Sequence, residues 1–238
     1  MPIRRQDPRL RVGAWYGPSV RDDAQSLPIF PLSNVVLFPH IDIPLHIFEP
    51  RYRQLTEHAL ADDRRIAMVV VRPENVAEMA GDAPVFSVGC AGSIERFHRH
   101  ADGRYDIVLR GTRRIRIEDE PARPAERLFR SAIVSFLDDG CAPEAAARVS
   151  EMREQVVGQA LELFGDRASE MSRESFDGID DAAFVNVLCA VLPFSTLEKQ
   201  ALIEANGIPE RLAALSDLLS FARIEMQSRR VPNSGAFH

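Results

Sequence analysis

Lysine is almost missing from this chain. Of its 29 basic residues only Lys199 is a lysine, so any chemistry that needs a side-chain amine rests on one position. The sequence has no Gly-Lys pair and no GxGxxG. A P-loop needs that lysine to reach the β- and γ-phosphates, so the residues support no ATPase reading. A Ser–Lys peptidase dyad could use only Lys199, which falls on the polar face of a predicted helix beside Glu198 and reads as solvated. Cysteine is scarce: Cys90, Cys141 and Cys189 are three, odd in number and far apart. That pattern argues for reduced thiols and a cytoplasmic setting, and no CxxC or Cys/His spacing suited to zinc occurs. Cys90 and Cys189 fall in apolar patterns and read as small core residues. Long hydrophobic runs are absent, so no transmembrane helix is expected. The opening 26 residues have no apolar stretch of the kind that marks a secretory signal.

What remains is an ordinary soluble composition: 238 residues, 45% hydrophobic and 27% charged, enough chain to bury a core without staples. The net charge of −6 disfavours a nucleic-acid binder as the global reading.

The order of residues suggests two parts and no internal repeat. Residues 1–26 are polar and arginine-rich and read as a mobile arm. From 27 to 140 the pattern is mostly strand. "NVVLF" and "IDIPLHIF" are short apolar runs bounded by proline, and "IAMVVV" is a β-branched run of the buried type. "SIERFHRHADGRYDIVLRG" reads as a hairpin with Asp102 and Gly103 at its tip. "RRIRIEDE" alternates isoleucine and arginine, a strand with one wet face. One helix interrupts the series. Pro50 suits its first position, and Tyr52, Leu55 and Ala59 share a face. From 141 to 230 the period changes to 3.6. A helix from near Pro143 carries Val149, Met152, Val156, Ala160 and Phe164, with Gly165 to stop it. A second carries Phe184, Val187, Leu188, Val191 and Leu192 and ends at Pro193. Ser195 and Glu198 form a capping-box pattern for a third, which Gly207 ends. Pro209 opens a fourth, with Leu212, Leu215, Leu219, Ala222 and Met226 in line. Residues 231–238 read as a frayed tail.

The stretch from Leu27 to Leu55, "LPIFPLSNVVLFPHIDIPLHIFEPRYRQL", is apolar yet holds five prolines. Its pattern of LP, PL, V, FP and PL before a helix resembles the opening of the Lon protease amino-terminal domain, the LON substrate-binding domain. The likeness continues through "VGCAGSIERF", "VLRGTRRIRI" and "FVNVLCAVLPFSTLEKQALIEANGIPERLAALSDLL", from Leu27 to about Met226. "PLHIFEPRYR" is closest to stand-alone members. The resemblance implies an α+β fold: a PUA-like β pseudo-barrel followed by a C-terminal helical bundle. It also implies a non-catalytic module that binds unfolded or partner protein segments, with no cofactor. The expected peptide contacts are Phe38, His46, Phe48, Glu49, Arg51 and Tyr52. Phe48 and Tyr52 also read as core, and Glu49 with Arg51 as a corner salt bridge.

Other constellations carry less. Between Ser93 and Ile117 seven arginines face three acids, a local net of +4. Arg110, Arg113, Arg114 and Arg116 are therefore candidates for an anionic partner, and an RNA-binding PUA-like module is the alternative function. Few aromatics interleave to stack bases, and Glu118-Asp119-Glu120 follows at once, so nucleic acid is the weaker expectation. His98, His100 and Asp102 read as a solvent-facing turn rather than metal ligands, and His40 and His46 as structural, so no metal is expected. Ser87, Ser93 and Ser131 have no His/Asp company, which leaves a hydrolase reading without a nucleophile.

Overall fold

The computed structural model describes residues 24–164 and 178–230. The strands are β1 (Gln25–Leu32), β2 (Asp42–Ile47), β3 (Arg65–Val70), β4 (Val88–Arg99), β5 (Tyr105–Asp119) and β6 (Arg130–Phe136). Helix α1 (Pro50–Ala61) lies between β2 and β3. Helices α2 (Ala146–Phe164), α3 (Asp181–Val191), α4 (Thr196–Glu204) and α5 (Gly207–Arg230) follow the last strand. The expected change from strands to helices falls between Phe136 and Pro143, and the fold is α+β. The first 23 residues, Gly165 and the last eight lie outside the described residues; Gln25 and Ser26, expected in the arm, begin β1 instead.

The sheet closes on itself. Its order is β2-β5-β4-β3-β1-β6, and β6 also pairs with β5. All pairs are antiparallel except β1–β3. Closure depends on the length of β5. Its first half, from Tyr105 to Arg110, pairs with β2, and its second half, from Ile115 to Asp119, pairs with β6. The hairpin strand and the "RRIRI" strand are thus one continuous element. Register shifts at Ala91/Gly92 and Ile94/Arg96 bend β4 against it, as bulges do in tightly curved sheets.

The prolines fit this geometry. In β1, residues 25–29 pair with β6 and residues 29–32 with β3. Pro28 therefore has no β3 partner and Pro31 no β6 partner, so each has one side where a missing N–H breaks no ladder bond. Pro44 lies in β2, which pairs with β5 alone, and Pro50 takes the first turn of α1. "NVVLF" corrects the sequence reading. It is not a strand but irregular chain, with Val36, Leu37 and Phe38 buried. It runs back over the sheet, where His40 N donates to Gly111 O and Gly111 N donates to Ile41 O, both at 2.8 Å. A Cβ at Gly111 would stand 2.0 Å from Phe38 O, so only glycine admits this approach.

Two cores result. The barrel interior is small-sided: Leu27, Ile29, Ala67, Val69, Ala91, Ile115, Ala132 and Val134. The larger core lies on the outer face, where Phe30, Phe38, Ile66, Met68, Cys90 and Leu109 meet α1 and the helical bundle. Tyr52, Leu55 and Ala59 are the buried face of α1, as its spacing indicates, together with Thr56. Tyr52 donates its hydroxyl to Pro31 O at 3.0 Å. The capping box of α4 forms. Ser195 Oγ accepts from Glu198 N and Glu198 Oε2 accepts from Ser195 N, contributing about 1 kcal/mol. Other helix expectations shift. Val191 is exposed, because α3 ends there and turns. Asn186 is buried instead. On α5, Leu212, Leu215 and Leu219 are buried, but Phe221, Ile224 and Met226 are exposed. The apolar stripe thus stops short of Met226.

Candidate functional site

An open concave surface lies where β2, β5 and the end of β4 curve together. Backbone register builds it. His46 on β2 pairs with Asp106 on β5, and Asp106 pairs in turn with His98 on β4. Paired residues share a face of the sheet, so three strands place these side chains in one row. The next row is Pro44, Val108 and Arg96. Together with Leu45, Phe97 and Ile107 they line a cleft of about 560 Å³. Phe97 is 48% exposed, and Phe48, just past β2, is 60% exposed. Phe48 stacks on His46 with ring centroids 6.2 Å apart. Among the described strands, β2 pairs only with β5, so its outer edge carries unpaired backbone.

Polar bonds organise the cleft's end. Asp106 Oδ1 faces His46 Nδ1 at 2.6 Å, and Asp106 Oδ2 faces His100 Nε2 at 2.7 Å. These two hydrogen bonds hold the Asp106 carboxyl below the usual carboxylate range. Arg104 Nη1 lies 3.4 Å from His46 Nε2 and is itself held by Asp102 at 2.6 Å. Asp102 is thus engaged with Arg104, and the histidines instead meet Asp106, a residue the sequence reading passed over. The join crosses 60 positions through the β2–β5 register, which no local spacing announces.

The six expected peptide contacts divide. His46 and Phe48 are exposed on the cleft side. Glu49 and Arg51 form the corner ion pair at 3.0 Å, and Arg51 also donates to Met79 O. Phe38, 0% exposed, and Tyr52 are core residues. Phe38 corrects the sequence assignment and Tyr52 takes the core place its α1 spacing indicates, since neither can touch a partner without unpacking the barrel, whereas Phe48, also read as core, is exposed. Burial pushes the Tyr52 phenol up to about 12.

The family described as the ATP-dependent protease La (LON) substrate-binding domain matches residues 26–220. This chain belongs to that family. The "Lon protease 2" of Syntrophobacter fumaroxidans is 26% identical over 206 residues, covering 85% of this chain and 25% of the relative. The Lon protease of Escherichia coli K12 is 26% identical over 203 residues, covering 84% and 25%. The chain thus spans about a quarter of the length of these relatives. Among solved structures, the N-terminal domain of Mycobacterium avium complex Lon protease superposes with a TM-score of 0.63 at 19% identity. The Lon N-terminal domain protein from Xanthomonas campestris does so at 0.55 and 24%. They cover 82% and 83% of this chain and 98% of their own, and they support the same fold.

In this LON substrate-binding domain the four arginines expected to meet an anionic partner are placed differently from one another: Arg110 and Arg113 are exposed, Arg116 is half-buried and Arg114 is buried. Arg110 is bound through both Nε and Nη2 to Asp42 at 2.7 and 2.9 Å, and Arg99 pairs with Glu57. Arg113 lies over the Phe136 ring at 4.4 Å, and Arg116 is half-buried. Arg114 is the main correction. It is 1% exposed, because the face read as wet is covered by the helical bundle. Its guanidinium donates to Asp139 Oδ1 at 2.6 Å and to the carbonyls of Ile203, Ala205 and Asp138. Arg211 of α5, also fully buried, reaches the same Asp139 Oδ1 at 2.8 Å and Asn186 Oδ1 at 2.8 Å. One carboxylate thus joins barrel to bundle through two arginines.

Lys199 is likewise not free in solvent. It is half-buried and donates to Ala190 O at the end of α3, and burial lowers its pKa. The Cys189 thiol is pushed up to about 12 by burial, and burial also raises the Cys90 thiol, so neither is a ready nucleophile. Among the described residues, no helix is long and apolar enough to cross a membrane.

Proposed function

We propose that this chain is a non-catalytic module that binds extended segments of unfolded or partner proteins. One observation carries the reading: the open cleft runs beside an unpaired strand edge and is flanked by exposed Phe48 and Phe97. An extended segment can add main-chain hydrogen bonds to a free edge while its apolar side chains enter adjacent pockets. Large apolar side chains left in water beside such a cleft mark interaction surfaces. The family description as substrate-binding and the names of the Lon proteases that match it support the same direction. Among the described residues, the histidine side-chain hydrogen bonds run to Asp106 and Arg104 rather than to serine or cysteine.

The test is fluorescence anisotropy with a labelled, permanently unfolded polypeptide. Phe48→Ser combined with Phe97→Ser is expected to weaken binding about tenfold or more, in the range of interface anchor residues. The melting temperature should stay unchanged, since both rings are exposed. Affinity equal to that of the parent protein would refute the cleft as the binding surface.

A further inference from the structure

Of the features the fold leaves unexplained, the side-chain cluster around Asp106 at the end of the cleft has the most specific chemistry. His46, His100 and Asp106 each present a ligand atom, and these atoms all lie within 4.8 Å of one another. His46 on β2 and Asp106 on β5 are held as partners in one ladder, and His100, the residue after β4, is fixed by its backbone N donating to Arg104 O at 2.8 Å. Two imidazoles and a carboxylate are the donor set of open sites for first-row transition metals. Calcium and magnesium prefer all-oxygen shells.

We propose that His46, His100 and Asp106 form a binding site for a divalent transition-metal ion of the zinc class. The ion takes the place of the two imidazole-to-carboxylate hydrogen bonds. His46 binds it through Nδ1, His100 through Nε2, and Asp106 through its carboxylate. Bonds of about 2.0–2.2 Å put tetrahedral ligand atoms about 3.3 Å apart. Side-chain rotations must open the present 2.6 and 2.7 Å contacts and draw in the widest ligand-atom separation, which is at most 4.8 Å. Water fills the remaining position, or His98, whose ring lies 4.8 Å from that of His100. All three ligands border solvent, which leaves an entry path. Arg104 works against the ion. Its guanidinium faces His46 Nε2, the nitrogen that must carry the proton once Nδ1 holds metal. The site does not rest on the peptide-binding reading, and it stands or falls on metal alone.

The experiment uses the untagged 238-residue chain, stripped with chelator and dialysed. Zn²⁺ is titrated by calorimetry, and Co²⁺ by its visible absorption, at neutral pH. One equivalent per chain is expected, with cobalt bands of a four- or five-coordinate nitrogen–oxygen site. His46→Ala, His100→Ala and Asp106→Asn should each weaken binding by about tenfold to a hundredfold or more. Arg104→Gln should tighten it several-fold. Circular dichroism confirms that these surface variants stay folded. Absence of binding below about 1 mM overturns the proposal. So does stoichiometric binding that survives His46→Ala with His100→Ala, which would place the ion on other residues.

Discussion

Replacing Asp139 with Asn tests the bridge between barrel and bundle most directly. The change keeps the size and one acceptor oxygen but removes the charge. Two guanidiniums that are 1% and 0% exposed, Arg114 and Arg211, would then share a pocket with no counter-ion. Desolvation and the neighbouring Arg211 charge already lower the Arg114 pKa, so the site has no spare tolerance for positive charge. Removing one partner of a buried ion pair costs about 3–5 kcal/mol. The Asp139 side chain keeps 19% of its surface in contact with water, which favours the lower end, about 3 kcal/mol. For a domain of this size that is a fall of roughly 6–12 °C in melting temperature, read by calorimetry or circular dichroism. A double-mutant cycle sharpens the test. Arg114→Met and Asp139→Asn together should cost less than the sum of the two, with a coupling of about 2 kcal/mol. A drop below about 2 °C for Asp139→Asn, or strict additivity in the cycle, would refute the idea that one carboxylate neutralises both arginines.

Two further outcomes follow from the packing. Tyr52 titrates at about 12 in the folded chain against an ordinary 10; its raised pKa contributes stability that is full below pH 10 and lost as pH rises towards 12. Roughly 2–3 kcal/mol is involved, and the alkaline arm of a pH–stability curve should lose this step in Tyr52→Phe. Gly111→Ala would set a methyl against the Phe38 carbonyl. It should cost about 1–3 kcal/mol, measured by urea unfolding; an unchanged midpoint would show that the 33–41 segment moves aside freely.

Sequence order alone determined those features whose causes are local. The α1 face of Tyr52, Leu55 and Ala59, the start at Pro50 and the Ser195–Glu198 box depend on residues within one or two turns of each other. The strand-to-helix change was legible for the same reason, since hydrophobic period is a local property. The LP…PL…FP pattern carried the family, and the prolines fit because β1 pairs with each neighbour over only part of its length.

Tertiary structure decided the rest. Alternation made Arg114 and Arg116 look solvated, but alternation says only that two faces differ. The helical bundle packs on the outer face of the barrel and buries Arg114, so both faces of β5 are covered there. Phe38 went inward because the 33–41 segment folds back over the sheet. The cleft was invisible for a complementary reason. His46, Asp106 and His98 are ordinary residues in three separate runs, and only the β2–β5–β4 register aligns them. Hydrogen-bonded pairing between distant strands is settled by how the barrel closes, and no window of sequence contains that information.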